Sequence, residues 1–435
     1  MTRRTRDRWR WLLWAVLAVG FLLVNFHRVS TAVLAADLTR AFDTTAAELG
    51  LLHASFFYVY AALQLPAGVL ADRAGSRRVA AAGVAVMSLG VAWFALADSL
   101  AAGFVGRTLV GVGGSVCYIA TLRFCANWFR RDQFATMTGW TVAAAGLGGV
   151  FAATPLALAV AAVGWRDALL VTAVAGAVVA VVVYALVRDS PAKAGFDPVD
   201  GATPPGRTVD LATLWRNVRH VLADRETWLL GGMLFFVIGT NFTVLGLWGV
   251  PYIADVYGES VATASLYVLV ANVGFLLGPP VLGTLSDRVG RRTEVILAST
   301  VLFTLAYGAV FVLVTPPLPV FGALLFLALF TNGGTVLAFT VAKERHAASA
   351  SGTVTGTINS IGYFGAAVFP ALMGAVLDAY WTGETIDGAR VYTVGGYRVA
   401  FGLATLTGLV AVGCAAWLHH RTSTGVNDRA VPADD

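Results

Sequence analysis

The chain has 435 residues, 57% of them hydrophobic and only 13% charged, with a mean hydropathy of +0.74. So little polar material cannot cover a soluble globule, so the chain belongs in a membrane. The formal net charge of +5 does not point to nucleic acid, because Lys and Arg fall in short pieces between apolar runs rather than on one polar face.

Taken in order, the chain begins with Arg3, Arg4, Arg6, Arg8 and Arg10 ahead of an apolar run. That run is too long for a secretory signal peptide and carries no cleavage site, so it reads as helix 1. Crossing the hydrocarbon core takes about 20 apolar residues as a helix, and twelve stretches qualify. The first six span 11–36, 46–70, 78–97, 101–128, 134–162 and 167–187. The second six span 228–253, 261–283, 293–315, 318–341, 351–378 and 397–418. Long continuous apolar runs predict helices and not the short alternating strands of a barrel.

The predicted organisation is an N-terminal six-helix half over 1–187, a linker over 188–227, a C-terminal six-helix half over 228–418 and a tail over 419–435. The linker is rich in Pro and Gly, with Pro191, Pro198, Pro204 and Pro205, and cannot bury itself. Within it Leu211, Leu214, Val218, Val221 and Leu222 recur at helical spacing beside Arg216, Arg219 and Arg225. That pattern is either an amphipathic helix on the inner membrane surface or a solvated helical turn. With the N-terminus inside, 23 of the 30 Lys and Arg fall in inner segments. This bias places both termini in the cytoplasm, with the chain a multi-pass protein of the plasma membrane. Cys117, Cys125 and Cys414 match no metal or redox spacing and read as small buried residues.

One element occurs twice. Gly68-Val69-Leu70-Ala71-Asp72-Arg73-Ala74-Gly75-Ser76-Arg77-Arg78 recurs 215 positions later as Gly283-Thr284-Leu285-Ser286-Asp287-Arg288-Val289-Gly290-Arg291-Arg292. Other pairs keep nearly the same offset: Asn25-Phe26 with Asn241-Phe242, Gly113-Gly114 with Gly333-Gly334, Arg123 with Lys343, and Pro155 with Pro370. The repetition predicts two homologous halves with a substrate path between them. In each copy Asp72 or Asp287 precedes an Arg, and Gly75 or Gly290 lets the chain turn back. The element reads as a latch on neighbouring helix ends, with the Asp also placed to meet a helix N-terminus.

A charge at bilayer depth is costly unless it faces a cavity or a partner. Arg28 is the main candidate for a substrate ligand, with Asn25 on its face. Its planar fork suits a carboxylate or phosphate, and the alternative is a structural Arg bonded to backbone carbonyls. Arg107 in helix 4 shares a face with Gly111, Gly114 and Tyr118, whereas Arg123 points away and reads as snorkelling to the interface. His27 and His53 are candidates for carrying a coupled proton, or are simply hydrogen-bonded. Asn241 and Trp248 on helix 7, and Asn359 and Tyr363 on helix 11, either line the cavity or cross-link helices and anchor the interface. No Asp or Glu lies mid-helix, which disfavours a pump for organic cations. No metal cluster, cofactor motif or ATP-binding loop is present, so the chain reads as no enzyme and its transport as secondary.

The repeated Gly-x-Leu-x-Asp-Arg-x-Gly-x-Arg-Arg element resembles the signature loop of the major facilitator superfamily, where it joins helices 2 and 3 of each half. Arg107-Thr108-Leu109-Val110-Gly111 resembles that family's helix 4 arginine motif. Arg28, with the 127–129 and 164–166 regions, is similar to the sugar-phosphate and organic-anion permeases. In the phosphate exchangers of that branch helices 1 and 7 each supply an Arg, whereas helix 7 here supplies none, which shifts the expectation toward a monovalent carboxylate or peptide-like cargo. The 146–155 stretch departs from the Gly-Pro-x-x-Gly-Gly pattern of drug/proton antiporters. The resemblance therefore implies a monomeric all-α membrane transporter of a small organic anion in the lipid bilayer. Drug efflux, a peptide-type carrier and a non-transporting sensor are the alternatives.

Overall fold

The computed structural model of the chain describes residues 3–197, 199, 211–345, 351–386 and 389–423. Pro198, Pro204, Pro205 and the end of the tail, including Arg429, lie outside the described residues. Twelve described helices are long and apolar enough to cross a membrane. Helices 1–6 are Asp7–Val29, Ala46–Ala74, Ser76–Leu96, Leu100–Trp128, Arg131–Val163 and Trp165–Leu186. Helices 7–12 are Arg225–Tyr257, Val261–Val289, Arg292–Leu313, Leu318–Arg345, Gly352–Ala379 and Val394–Ser423.

The starts and stops follow local chemistry. The Thr45, Ser99 and Ser260 side chains accept hydrogen bonds from the first turns of helices 2, 4 and 8. Positive φ at Gly75 and Gly290, 83° and 69°, turns the chain straight from helix 2 into helix 3 and from helix 8 into helix 9. The repeated element is therefore mostly the end of one helix and the start of the next, not a loop.

Three irregularities break the expected continuous runs. Helix 1 bends at Ser30, whose hydroxyl donates to the His27 carbonyl at 3.3 Å, and continues as Thr31–Phe42. Helix 5 breaks at Ala152–Ala153, because Pro155 lacks the N–H a continuous helix needs. Helix 7 widens into a π-turn over Val244–Trp248. The all-α class expected from the sequence is the one observed, with one small addition: Trp381–Ile386 (β1) and Ala389–Tyr392 (β2) pair as an antiparallel hairpin between helices 11 and 12. The Asp387-Gly388 pair between β-branched runs is the sequence signal for it.

Helix 7 is the most enclosed span and helix 6 the least. Val171, Val174, Val178 and Val181 line one exposed face of helix 6, a stripe that is stable against lipid and not against water. The linker holds a helix, Leu211–Ala223, packed on helices 7 and 11.

The first and last six helices meet mainly through helices 2 and 11 and helices 5 and 8. At the end opposite the repeated elements, the distal end, the approach is close. A Cβ at Gly50 would strike the Pro370 backbone, one at Gly374 the Ala46 backbone, and one at Gly149 the Asn272 amide. At the end that carries the repeated elements, a Cβ at Gly68, Gly139, Gly283 or Gly352 on the same four helices meets nothing within 4 Å. Contacts between these helices run from the distal end past mid-height, where Leu65 faces Gly356 and Leu276 faces Gly146, and are missing at the four motif-end glycines.

Candidate functional site

Helix 2 presents His53, Phe57, Tyr60 and Gln64 at three- and four-residue spacing, one face of a helix. Arg28 meets this face from the last turn of helix 1. Its guanidinium carbon lies 4.9 Å from the centre of the Tyr60 ring, 5.1 Å from Tyr363, 5.3 Å from Phe242 and 5.8 Å from Phe56. One donor is used, Nη1 to the Tyr363 hydroxyl at 3.1 Å. Nε and Nη2 are buried with no partner. Cation–π contacts contribute about 0.5–2 kcal/mol each, but they leave these N–H groups unsatisfied, and an unmet charged donor is costly in a low-dielectric interior. The cage draws rings from helices 2, 7 and 11, so both sets of six helices enclose one guanidinium edge that no carboxylate pairs with among the described residues.

Arg107 occupies the adjoining space. Its Nη1 donates to the His27 carbonyl at 2.7 Å, its guanidinium carbon lies 5.7 Å from the Phe56 ring centre, and its Nε and Nη2 are also unpartnered. His53 is fully buried with neither ring nitrogen bonded, and its ring packs on Gly246 in the helix 7 π-turn. His27 sits edge-on to Phe26, ring centres 5.0 Å apart. The two histidines and two arginines thus form one buried layer, with Arg28 and Arg107 on a shared phenylalanine.

The other expected ligands divide. Tyr363 is in the cage. The Asn359 amide donates to Gln64 Oε1 at 3.3 Å, a bond between helices 11 and 2 beside it. Asn25 lies against helix 5, where the Gly148 Cα faces its side chain. Tyr118 packs at a tilt on Phe21, ring centres 5.0 Å apart, and, eleven residues from Arg107 or about 16 Å along helix 4, does not join it. Gly111 and Gly114 face Phe56 and Val24, so they serve helix packing. The Asn241 amide donates to the Ala328 carbonyl and its oxygen accepts from Tyr307, cross-linking helices 7, 10 and 9. Trp248 Nε1 donates to the Pro370 carbonyl at 3.2 Å, tying helix 7 to helix 11. Phe56, Tyr60 and Phe242 were not singled out from sequence. The helix 2 spacing and the repeated Asn-Phe pair were the signals available.

In the first repeated element Asp72 pairs with Arg123 at 3.0 Å, so Arg123 does not snorkel but ties helix 4 to helix 2. The carboxylate at a helix N-terminus is Asp189, which accepts from the Arg77 N–H at 2.9 Å, and not Asp72, which sits near the end of helix 2. Arg77 also lies over Tyr184. In the second element Arg292 reaches Asp287 at 3.5 Å and pairs with Glu344, while Arg291 pairs with Glu294. Arg73, Arg78 and Arg288 form no ion pair among the described residues. The two elements thus grip helices 4 and 10 through different partners. A partly exposed pair of this kind is worth about 1 kcal/mol, so Asp72→Asn is expected to slow transport about five-fold with the order of preferred substrates unchanged. A reordered preference in a competition assay would overturn the latch reading.

Twelve spanning helices, an internal repeat and a caged cation between the two sets are the build of a membrane solute carrier. The sequence matches the Major Facilitator Superfamily over residues 16–249 and 232–432, and the chain belongs to that superfamily. It is 24% identical to the probable sulfoacetate transporter SauU of Cupriavidus necator, over 67% of this chain and 68% of that one. Identity to the membrane sensor protein UhpC of Salmonella typhimurium is 26%, over 86% and 87% of the two chains. The hexuronate transporter of Bacillus subtilis is 25% identical over 66% and 67%. Among solved structures, a bacterial homologue of the human lysosomal transporter Spinster shares the fold with a TM-score of 0.77, at 20% identity, over 98% of this chain and 99% of that one.

Proposed function

We propose that the protein is a secondary transporter of a small organic anion, working by alternate opening of its two ends around Arg28. The observation that carries this is the unpartnered Nε and Nη2 edge of Arg28 inside an aromatic cage. A planar two-donor edge matches the two oxygens of a carboxylate, or of a sulfonate or phosphate presented side-on. The relatives named for sulfoacetate and hexuronate carry acidic cargo of that kind. Arg107 stands behind as a second positive group, and His27 and His53, the candidates for carrying a coupled proton, lie in the same layer, where the guanidinium charges oppose a further positive charge unless an anion is bound.

The distribution of Lys and Arg puts the repeated elements, the linker and both termini on the cytoplasmic side of the plasma membrane. The distal closure and the gap at the motif-end glycines then correspond to an inward-facing carrier whose cage is still covered, with residues 1–187 and 228–418 as the two rocking halves of a monomer. A hydrophobic cation is a poor cargo, since the cage offers a positive charge and no carboxylate. The 26% identity to a membrane sensor over most of both chains supports a second reading, a sensor that binds an anion without moving it.

The test is a thermal-shift screen of the purified protein against carboxylates, sugar acids, sulfonates, sugar phosphates and cationic drugs, followed by uptake of each stabilising ligand into proteoliposomes. A ligand at one hundred times its Kd adds about 2.7 kcal/mol of apparent stability. Stabilisation by anions with uptake supports the transporter, and stabilisation without uptake supports the sensor. Stabilisation by cationic drugs alone sinks both.

A further inference from the structure

The distal closure is made by a hydrogen-bonding arrangement that involves neither the cage nor the repeated elements. A helix leaves its first backbone N–H groups without acceptors inside the helix. At the start of helix 2, the Thr45 N–H donates to Glu48 Oε2 at 2.9 Å and the Glu48 N–H donates to Thr45 Oγ1 at 3.1 Å. This capping box leaves the two N–H groups between them. Those of Ala46 and Ala47 donate at 2.9 and 2.8 Å to the two oxygens of Asp378, in the last turn of helix 11. Half of the first turn of helix 2 is therefore completed by its own residues and half by a carboxylate from the other set of six helices.

The surroundings make this a contact that can be broken and remade. The side chain of Asp378 remains 21% exposed, as does that of Arg390 at 26%, so water has access to take over the bonds. Arg390, on β2, stands 3.6 Å from Asp378 and lies over Trp381 of β1, so the hairpin holds the carboxylate from the side away from helix 2. Directly below, Gly374 packs on the Ala46 backbone and Gly50 on Pro370, which lets the two helices come close enough for the bonds to form. The same pair of helices carries Tyr60 and Tyr363 of the cage and the Gln64–Asn359 bond. Tyr363 and Asp378 sit on the same helix, so a displacement of helix 11 at the cage reaches Asp378 through the segment that holds Pro370.

We propose that Asp378 is the gating residue of the distal end. Its carboxylate caps helix 2 while that end is shut and releases both N–H groups when the bundle opens there. Charge and two directed hydrogen bonds, rather than apolar burial, then set the balance between the shut and open distal states. Asp378 touches no substrate in this scheme. It acts by positioning helix 2 against helix 11, and the scheme needs a carrier that opens at both ends but is independent of the cargo.

The experiment uses full-length protein in detergent, where both ends are open to reagent. Val33, buried in the distal cavity between the two sets of helices, is replaced by Cys in a background lacking the three native cysteines. The rate of labelling by a polar maleimide is then measured. Asn keeps one acceptor oxygen but loses the charge and turns an NH2 donor toward the other N–H, which shifts the balance between states by about ten-fold or more, so Asp378→Asn is expected to raise labelling by that factor, and Asp378→Glu by less. Gly374→Leu, which drives a side chain against the Ala46 carbonyl and the Ala47 N–H that Asp378 holds, is expected to raise it as well. A parallel set that retains only Cys117, buried within the first six helices, reports general unfolding. Val33→Cys labelling left unchanged by Asp378→Asn overturns the proposal, whether or not Gly374→Leu raises it. So does a rise matched at Cys117, whereas a rise at Val33→Cys alone supports it. A failure of the anion screen leaves this outcome unaffected.

Discussion

Arg28→Ala is expected to abolish anion uptake into proteoliposomes, and Arg28→Lys to lose most of it. The free Nε and Nη2 edge offers two charge-assisted hydrogen bonds, each worth about 1.5–3 kcal/mol, so deleting both weakens binding by about a hundred-fold or more. Lysine keeps the charge but replaces a two-donor edge with a point charge on a flexible stem, and it loses the flat stacking surface between Tyr60, Phe242 and Tyr363. The same substitutions make a second, opposite statement about stability. No carboxylate pairs with Arg28 among the described residues, and two of its donors are buried unmet. Its charge therefore costs the ligand-free fold, and Arg28→Ala is expected to melt no lower than the parent. Loss of uptake with unchanged melting identifies a ligand-binding Arg. Near-normal uptake, or a collapse in melting temperature, identifies a structural one.

Gly352→Leu and Gly139→Leu are expected to leave folding and ligand binding near the parent level while stopping most transport. In the state described here a side chain at either position meets empty space. Helices 2 with 11 and 5 with 8 touch closely at their distal ends, and a carrier that alternates must bring their motif ends to a similar distance. An added leucine then overpacks the contact, at a cost of about 1–3 kcal/mol in the closing state alone, or a slowing of about five- to hundred-fold. Binding measured by thermal shift and uptake measured in proteoliposomes separate the two effects. Parallel loss of both would count against an alternating closure at this end.

The twelve spans were legible because a bilayer imposes a length and a polarity that no other environment does, and most observed limits fall within a few residues of the apolar runs. Arg28 was legible because a charged residue in such a run is rare and needs a reason, and Tyr363 because it shares a stripe of helix 11 with Asn359. Their partners were not. Phe56, Tyr60 and Phe242 are ordinary residues for a membrane helix, and only the packing of helices 2 and 7 reveals that they surround a guanidinium. Helical geometry placed Tyr118 correctly on the face of Arg107, but a shared face says nothing about depth, and the two lie three turns apart. Arg123 was misread because the sequence shows its helix and not the Asp72 that crosses to meet it. The bends at Ser30 and Pro155 depend on single side chains, below what hydropathy resolves, and the hairpin after helix 11 was masked by its two long apolar neighbours.

The π-turn at Val244–Trp248 gives helix 7 one residue of slack. Winding those five residues back to a regular α-helix would turn everything beyond them by about 100°, carrying Trp248 off the Pro370 carbonyl and sliding Gly246 across His53. A helix with such a fold of spare backbone behaves as a ratchet pawl: it can change its angular setting at mid-height while the Asn241 cross-links hold its lower portion still. The distal part of helix 7 would then rotate while Phe242, which precedes the π-turn, kept its place on Arg28.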